Sequence, residues 1–179
     1  MTVQAEPFPQ LPSVPALERL HLLAPPVAGV VGSVDQARVA EIDPDLADTA
    51  ALCEATGLPP QVSANCVVVL GRRGEQERFA ACVVLASTRD DVIGTVRKRL
   101  DARKASFAPM DVAVERTGME YGGITPVGLP HDWLLLVDAA VAATPWVVVG
   151  SGLRRSKLVL PGAAVAALPG AEVVEGLGR

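Results

Sequence analysis

The densest run of residues suited to chemistry is Tyr121-Gly122-Gly123-Ile124-Thr125-Pro126-Val127-Gly128. Paired glycines let a backbone approach a ligand closely and expose consecutive amide N–H groups, which can hold a carbonyl oxygen or an anion. Pro126 fixes the exit of the turn. The plain alternative is a sharp connection between a helix and a strand. Gly122-Gly123 lacks the spacing of a dinucleotide or phosphate loop and follows a helical pattern rather than a strand. A second glycine turn, Gly150-Ser151-Gly152, carries a serine. No neighbouring residue supplies it with a base, so a turn serine is its default reading.

Other familiar sets are missing. His21 falls on an expected surface helix and His131 in a loop, and one histidine in the body cannot build a zinc cluster. Cys53, Cys66 and Cys82 form no CxxC pair, and Cys66 and Cys82 sit in apolar runs as small hydrophobes. A reduced, cytoplasmic chain without metal or cofactor is expected. Basic residues come in groups: Arg72-Arg73, Arg97-Lys98-Arg99, Arg103-Lys104, and Arg154-Arg155 with Lys157. Solvated faces explain most of them. Convergence around the glycine loop would make a phosphate-binding rim despite the net charge of −4.

These residues must be positioned by a chain of 179 residues that is 50% hydrophobic and only 3% aromatic. Such a chain fits one domain with a core of Ala, Val and Leu. Its composition excludes a disordered segment and a stacking platform for long single-stranded nucleic acid. The most apolar stretch, Trp133 to Val149, is broken by Asp138 and Pro145, so no membrane span is expected. The N-terminus has no Lys or Arg before Arg19 and does not read as a secretory signal.

Residues 1–16, with Pro7, Pro9, Pro12 and Pro15, read as an extended arm, and 17–179 as the domain. Leu17, Leu20 and Ala24 suggest a short helical stripe. Arg38–Ile42 reads as a strand, and Asp43-Pro44 as the start of a helix that Gly57 ends, with Leu46, Ala50 and Cys53 on one face. Ala64–Leu70 and Phe79–Ala86 read as a hairpin turning at Gly71–Gly74. Asp90 or Asp91 caps a helix facing inward through Ile93, Val96 and Leu100. A strand at Lys104–Ala108 and a helix from Pro109 to Arg116, stopped by Gly118, lead to the glycine loop. Strands at Leu134–Val137 and Trp146–Val149 flank a helix at Ala139–Ala143 with Asp138 as cap. A strand at Lys157–Leu160 and a helix at Pro161–Leu168 follow. The mixture lacks strict βαβ alternation, which predicts α+β with a mixed sheet.

The segment FAPMDVAVERTGMEYGGITPVG, Phe107 to Gly128, resembles the YbaK / prolyl-tRNA-synthetase-associated domain family of aminoacyl-tRNA deacylases. Thr117-Gly118 matches its TG dipeptide and Gly122–Gly128 its GGxxPxG loop. Leu135–Asp138 and WVVVGSGLRRSKLVL, Trp146 to Leu160, resemble its later strands and glycine turn. The likeness runs from about Arg38 to Val174.

The resemblance implies a compact single α+β domain with a mixed, partly barrel-like sheet flanked by helices. It implies hydrolysis of the ester between a wrong amino acid and the tRNA 3′ end. The partner is then aminoacyl-tRNA, met at its terminal aminoacyl-adenosine, with no cofactor and no membrane, and a homo-oligomer left open. An aminoacyl ester is already activated, so placed amides, a positioned water and a sized pocket could suffice without a strong nucleophile. On this reading Asn65, Gly122, Gly123 and Thr125 hold the ester and water. Ile124, Pro126, Gly128, Phe107 and Met110 bind substrate around them, and Ser151, Gly152, Lys104 and Lys157 approach the terminal nucleotide.

One departure stands out. The family's established editors carry a Lys at the start of the first central strand, in a pattern like KTLVV, where this chain has Asn65-Cys66-Val67-Val68-Val69. Asn donates a hydrogen bond but brings no charge. Lys157 stands where some members have an acidic residue, which moves positive charge to the opposite wall. The pattern also suits a module of the same fold that binds without hydrolysing.

Overall fold

The computed structural model describes residues 5–88 and 92–179. The chain opens with β1 (Val14–Pro15), a 3-10 segment (Ala16–Leu22) and α1 (Pro25–Ala28). Next come β2 (Arg38–Glu41), α2 (Thr49–Thr56) and a long hairpin of β3 (Ala64–Arg73) and β4 (Gln76–Leu85). After α3 (Ile93–Arg99), β5 (Lys104–Phe107) and α4 (Met110–Thr117), the glycine loop leads to β6 (Leu134–Asp138). The order ends with α5 (Ala139–Ala143), β7 (Val147–Gly150), β8 (Ser156–Leu160), α6 (Gly162–Ala166) and β9 (Ala171–Val174).

The strands form two sheets. One, ordered β1-β2-β8-β7, is antiparallel throughout. The other, ordered β5-β3-β4-β6-β9, is mixed, because β6 runs parallel to both β4 and β9. The long passage through α3, β5 and α4 lets β6 return in the same direction as β4. The fold is therefore α+β with a mixed sheet. The strands are divided between two sheets, and neither closes into a barrel. A parallel bridge between Ser63 and Val148 joins them where β3 begins.

Alternation along the strands builds the core. Val68 and Leu70 of β3 meet Val149, Leu158 and Leu160 of the other sheet in the central cluster. Val69 points the other way, with Cys82 and Leu136, under Val96 and Leu100 around α3. The outer side of the first sheet packs Ala40, Val148 and Val159 against Leu52 of α2. Phe79 and Trp133 supply a stacked pair with centroids 4.9 Å apart, and Arg116 lies 5.5 Å above the Phe79 ring.

Several sequence expectations shift. The described part of the proline-rich arm, residues 5–16, is not extended throughout, since it turns where the Leu11 amide donates to the Phe8 carbonyl at 2.9 Å, and it is fastened to the body. Leu11 is buried in the outer cluster, Val14 pairs with Val39, and Glu6 forms an ion pair with Arg38 at 3.2 Å. The stripe at Leu17, Leu20 and Ala24 fails because the segment is 3-10 and kinked at Arg19. Ala16 and Leu22 face inward, leaving Leu17 and Leu20 exposed. The helix expected from Asp43 divides in two. Asp43 caps only a 3-10 turn, Pro44–Leu46, and Asp48 caps α2. The hairpin turns at Gly74 and Glu75 rather than Gly71–Gly74, since pairing continues to Arg73 and Gln76. The terminal strand β9 was not expected. The proposed cap at Asp90 or Asp91 lies outside the described residues. No helix among the described residues is long and apolar enough to cross a membrane.

Candidate functional site

The start of β3 borders a cavity of about 350 Å³. Its walls come from five places: residues 47–49 leading into α2, residues 63–67, the glycine loop at Tyr121, Gly122 and Ile124, Val148–Gly150 of β7, and Lys157 of β8. The cavity lies where the bridge between Ser63 and Val148 draws the sheets together.

Lys157 is its cationic group, with Asp48 also on the wall. Pairing with Gly150 puts the lysine beside a residue that has no side chain to block it. The residue is 7% exposed, and Nζ donates to the Ala47 carbonyl at 2.7 Å. Burial pulls the ammonium below its ordinary pKa; Asp48 opposes this, and Arg154 adds to it. Asn65 is held from the same turn: Thr49 Oγ1 donates to Asn65 Oδ1 at 2.9 Å. That bond uses the acceptor end of the amide and leaves the NH2 end unspent by it. Cys66 also borders the cavity, and burial pushes its thiol above the ordinary range, so it remains protonated.

The glycine loop is built by backbone contact with the Gly150–Leu153 turn. The Gly152 amide donates to the Gly123 carbonyl at 2.7 Å, and the Glu120 amide to the Gly152 carbonyl at 2.8 Å. A Cβ at Gly150 would stand 2.5 Å from the carbonyl oxygens of Gly123 and Ile124, and one at Gly123 would meet the Leu153 backbone at 2.9 Å. Arg154 straps this assembly: its guanidinium donates to the carbonyls of Tyr121 and Pro44, and its amide to Glu120 Oε2 at 2.7 Å. Gly122, at φ +82°, clears the path of that guanidinium.

The structure thus gathers Asn65, Gly122, Ile124 and Lys157 into one cavity. Gly123 lies behind the lining, and its amide is already donated to the Glu120 carbonyl at 3.0 Å. Thr125 is fully buried outside the lining, and its Oγ1 has no hydrogen-bond partner among the described residues. Ser151 is not brought to the cavity. It is fully buried, and its Oγ lies 3.0 Å from the carbonyls of Leu153 and Ser156 and 2.7 Å from Ser156 Oγ. It fastens the turn, as does Gly152, at φ +87°.

Pro126 and Gly128 face a different cavity, beside Pro26, His131 and Trp133. Phe107 and Met110 are exposed, and Phe107 pairs with Val69, about 13 Å along β3 from Asn65. Lys104 pairs with Arg72, about 23 Å from Asn65 by the same rise. The basic groups therefore do not converge on the glycine loop. Arg154 reaches it but is spent on carbonyls, and Arg155 donates to the His21 carbonyl.

Sequence reasoning missed Asp48, Thr49, Cys66 and Tyr121 as lining residues. Asp48-Thr49 before an apolar run is itself a helix-start signal. The apparently stronger Asp43-Pro44 obscured it.

The aminoacyl-tRNA editing domain family matches residues 43–168, well over half the chain. Comparison with curated proteins gave no match. Among solved structures, a protein provisionally described as a trans-editing enzyme for prolyl tRNA synthetase superposes with a TM-score of 0.71 at 21% identity, covering 85% of this chain and 94% of that one. Hypothetical protein APE2540 gives a TM-score of 0.73 at 20% identity, covering 84% and 97%. A scaffold used for computational epitope backbone grafting gives 0.70 at 21%, covering 85% and 95%. At these identities the structures share the fold. With the family match spanning β3, the glycine loop and β8, the chain belongs to the aminoacyl-tRNA editing domain family.

Proposed function

We propose that the protein is an aminoacyl-tRNA deacylase acting in trans on mischarged tRNA. The observation that carries this reading is the placement of Asn65 and Lys157 on two walls of one small cavity roofed by the glycine loop. Water adds to the ester carbonyl, the acyl C–O bond breaks, and the ribose oxygen takes a proton, giving free amino acid and tRNA. Negative charge develops on the carbonyl oxygen during addition. Lys157, a buried cation with N–H donors beyond the one held by Ala47, is suited to that oxygen. The Asn65 NH2 group adds a fixed dipole, and Asp48 offers a carboxylate to the substrate's α-ammonium. Ala47, Ala64, Cys66 and Val149 leave room for a small side chain.

The test is a panel of tRNAs, each charged with one amino acid, incubated with purified protein. Release of amino acid from one or a few small-side-chain species is expected. No release across the whole panel overturns the reading.

The donated amide of Gly123 favours a second reading, a module that binds the aminoacyl end without hydrolysis, because it removes one oxyanion donor. Tight binding of a non-hydrolysable 3′-aminoacyl-adenosine analogue, combined with a silent panel, would select it.

A further inference from the structure

We propose that the cleft at the far end of β3 binds the phosphate backbone of the tRNA, at a site separate from the aminoacyl cavity. This rests on the editing function proposed above. Arg72 of β3, Arg97 of α3, and Arg103 and Lys104 at the start of β5 line a cleft of about 590 Å³. All four are exposed. The backbone fixes three of them together: Arg72 pairs with Lys104, and the Arg103 amide donates to the Arg72 carbonyl at 2.9 Å.

What distinguishes this grouping is that four basic side chains from neighbouring elements share one cleft; other basic residues, Arg19, Lys98 and Arg116 among them, also lack an ion pair among the described residues but do not line it. Arg38, Arg73 and Arg99 each have a carboxylate partner, in Glu6, Asp101 and Glu172. In the cleft only Arg72 has one, Glu77 at 2.9 Å, and among the described residues Arg97, Arg103 and Lys104 form no ion pair. A chain of net charge −4 thus brings into one cleft three cations that have no carboxylate partner among the described residues. Such a field attracts and holds an anion.

The cleft suits a polyanion better than one enclosed phosphate. Its cations come from three elements and reach outward on flexible stems, over the outermost strand of the sheet. Guanidinium groups make paired bonds to phosphate oxygens, and lysine adds a point charge. The separation also fits. Seven residues of β3 from Asn65 to Arg72 span about 23 Å. With the 3′ ester in the cavity, phosphates several nucleotides inward come within reach of this cleft.

The test measures binding of uncharged tRNA to the full chain by fluorescence anisotropy, from roughly 50 to 200 mM salt. The variant is Arg97→Gln/Arg103→Gln/Lys104→Gln, and Arg19→Gln is a single-charge control on another surface. The triple variant is expected to bind at least ~10-fold more weakly at low salt. Its slope of log affinity against log salt is expected to be shallower by about 2, since each lost phosphate contact removes roughly 0.7 to 0.9. The control stays within about twofold of the parent, and release of amino acid from a short 3′-aminoacyl-adenosine fragment is unchanged in the variant. Equal affinity and slope in parent and triple variant, or no tRNA binding by the parent, overturns the proposal. Cleft-dependent tRNA binding with a silent deacylation panel would instead overturn only the hydrolytic function.

Discussion

Lys157 and Asn65 stand on different sheets and are tied to the same turn. Lys157 donates to the Ala47 carbonyl at 2.7 Å, and Asn65 accepts from Thr49 Oγ1 at 2.9 Å. A positive charge from β8 therefore enters the cavity that Asn65 of β3 lines. The turn at residues 47–49 holds both groups, so their separation depends on the packing of α2 rather than on either strand alone.

If Lys157 supplies the charge for the ester oxygen, Lys157→Met lowers deacylation kcat/KM by about 100-fold, the usual loss for one such donor. The fold is expected to survive, because the substitution removes a buried charge and keeps most of the apolar stem. Activity on the responsive tRNA and the thermal midpoint check this together. Full activity in the variant would remove Lys157 from the chemistry.

The lowered pKa of Lys157 gives a pH signature with a definite sign. Between its folded value and the unfolded lysine value of about 10.4, the unfolded chain holds a proton that the folded chain has lost. Stability contributed by this group therefore rises with pH across that window. Denaturant titrations of parent and Lys157→Met should show a difference that grows in the parent's favour as pH rises. Enzymatic deacylation, after subtraction of uncatalysed hydrolysis, should fall over the same range, because the ammonium is being lost.

Gly150→Ala should destabilise the protein by about 3 kcal/mol or more, the upper range for overpacking. The added carbon would stand 2.5 Å from two backbone carbonyl oxygens. Gly57→Ala is the contrast. Gly57 has φ +75° and nothing within 4 Å of a built Cβ, so only the left-handed backbone is strained, at about 1 kcal/mol. Equal costs in urea unfolding would show that the loop crossing is looser than the geometry indicates.

Ser151→Ala separates a fastening role from a substrate contact. Loss of the hydroxyl leaves the Leu153 amide without the acceptor it meets at 3.2 Å, and costs about 1–3 kcal/mol. Because Ser151 does not line the cavity, KM for a short aminoacyl-adenosine substrate should stay within about twofold at a temperature where the variant is folded. A large rise in KM at unchanged stability would return Ser151 to the substrate.

Local signals made much of this fold legible. Gly57 and Gly118 end their helices in left-handed caps, and Asp138 caps α5 through the Ala140 amide at 2.8 Å. The apolar runs at Ala64 and Leu134 are strands. The errors arose where distant contacts decide. Nothing local in Ala171–Val174, half-exposed and holding Glu172, announces a strand; it forms because β6 offers a parallel edge.

The site divides the same way. Asn65, Gly122, Ile124 and Lys157 could be singled out as types in a motif, but Asp48 and Thr49 join them only because α2 packs on the outer side of the first sheet with its N-terminal end at the start of β3. Ser151 and Gly123 resembled site residues because glycine turns serve ligands and close backbone crossings alike. The sequence carries no mark to tell the two apart.

The two-residue strand β1 has a consequence for how molecules meet. It lies along β2 at the rim of its sheet, with Pro15 opposite Arg38. Proline lacks the N–H that a further strand would need, so the ladder stops there. Removing residues 5–16 would uncover the β2 rim and the apolar surface under Leu11 in one step. The shortened molecule would then have an open template for strand exchange with its own copies, which the intact chain keeps closed.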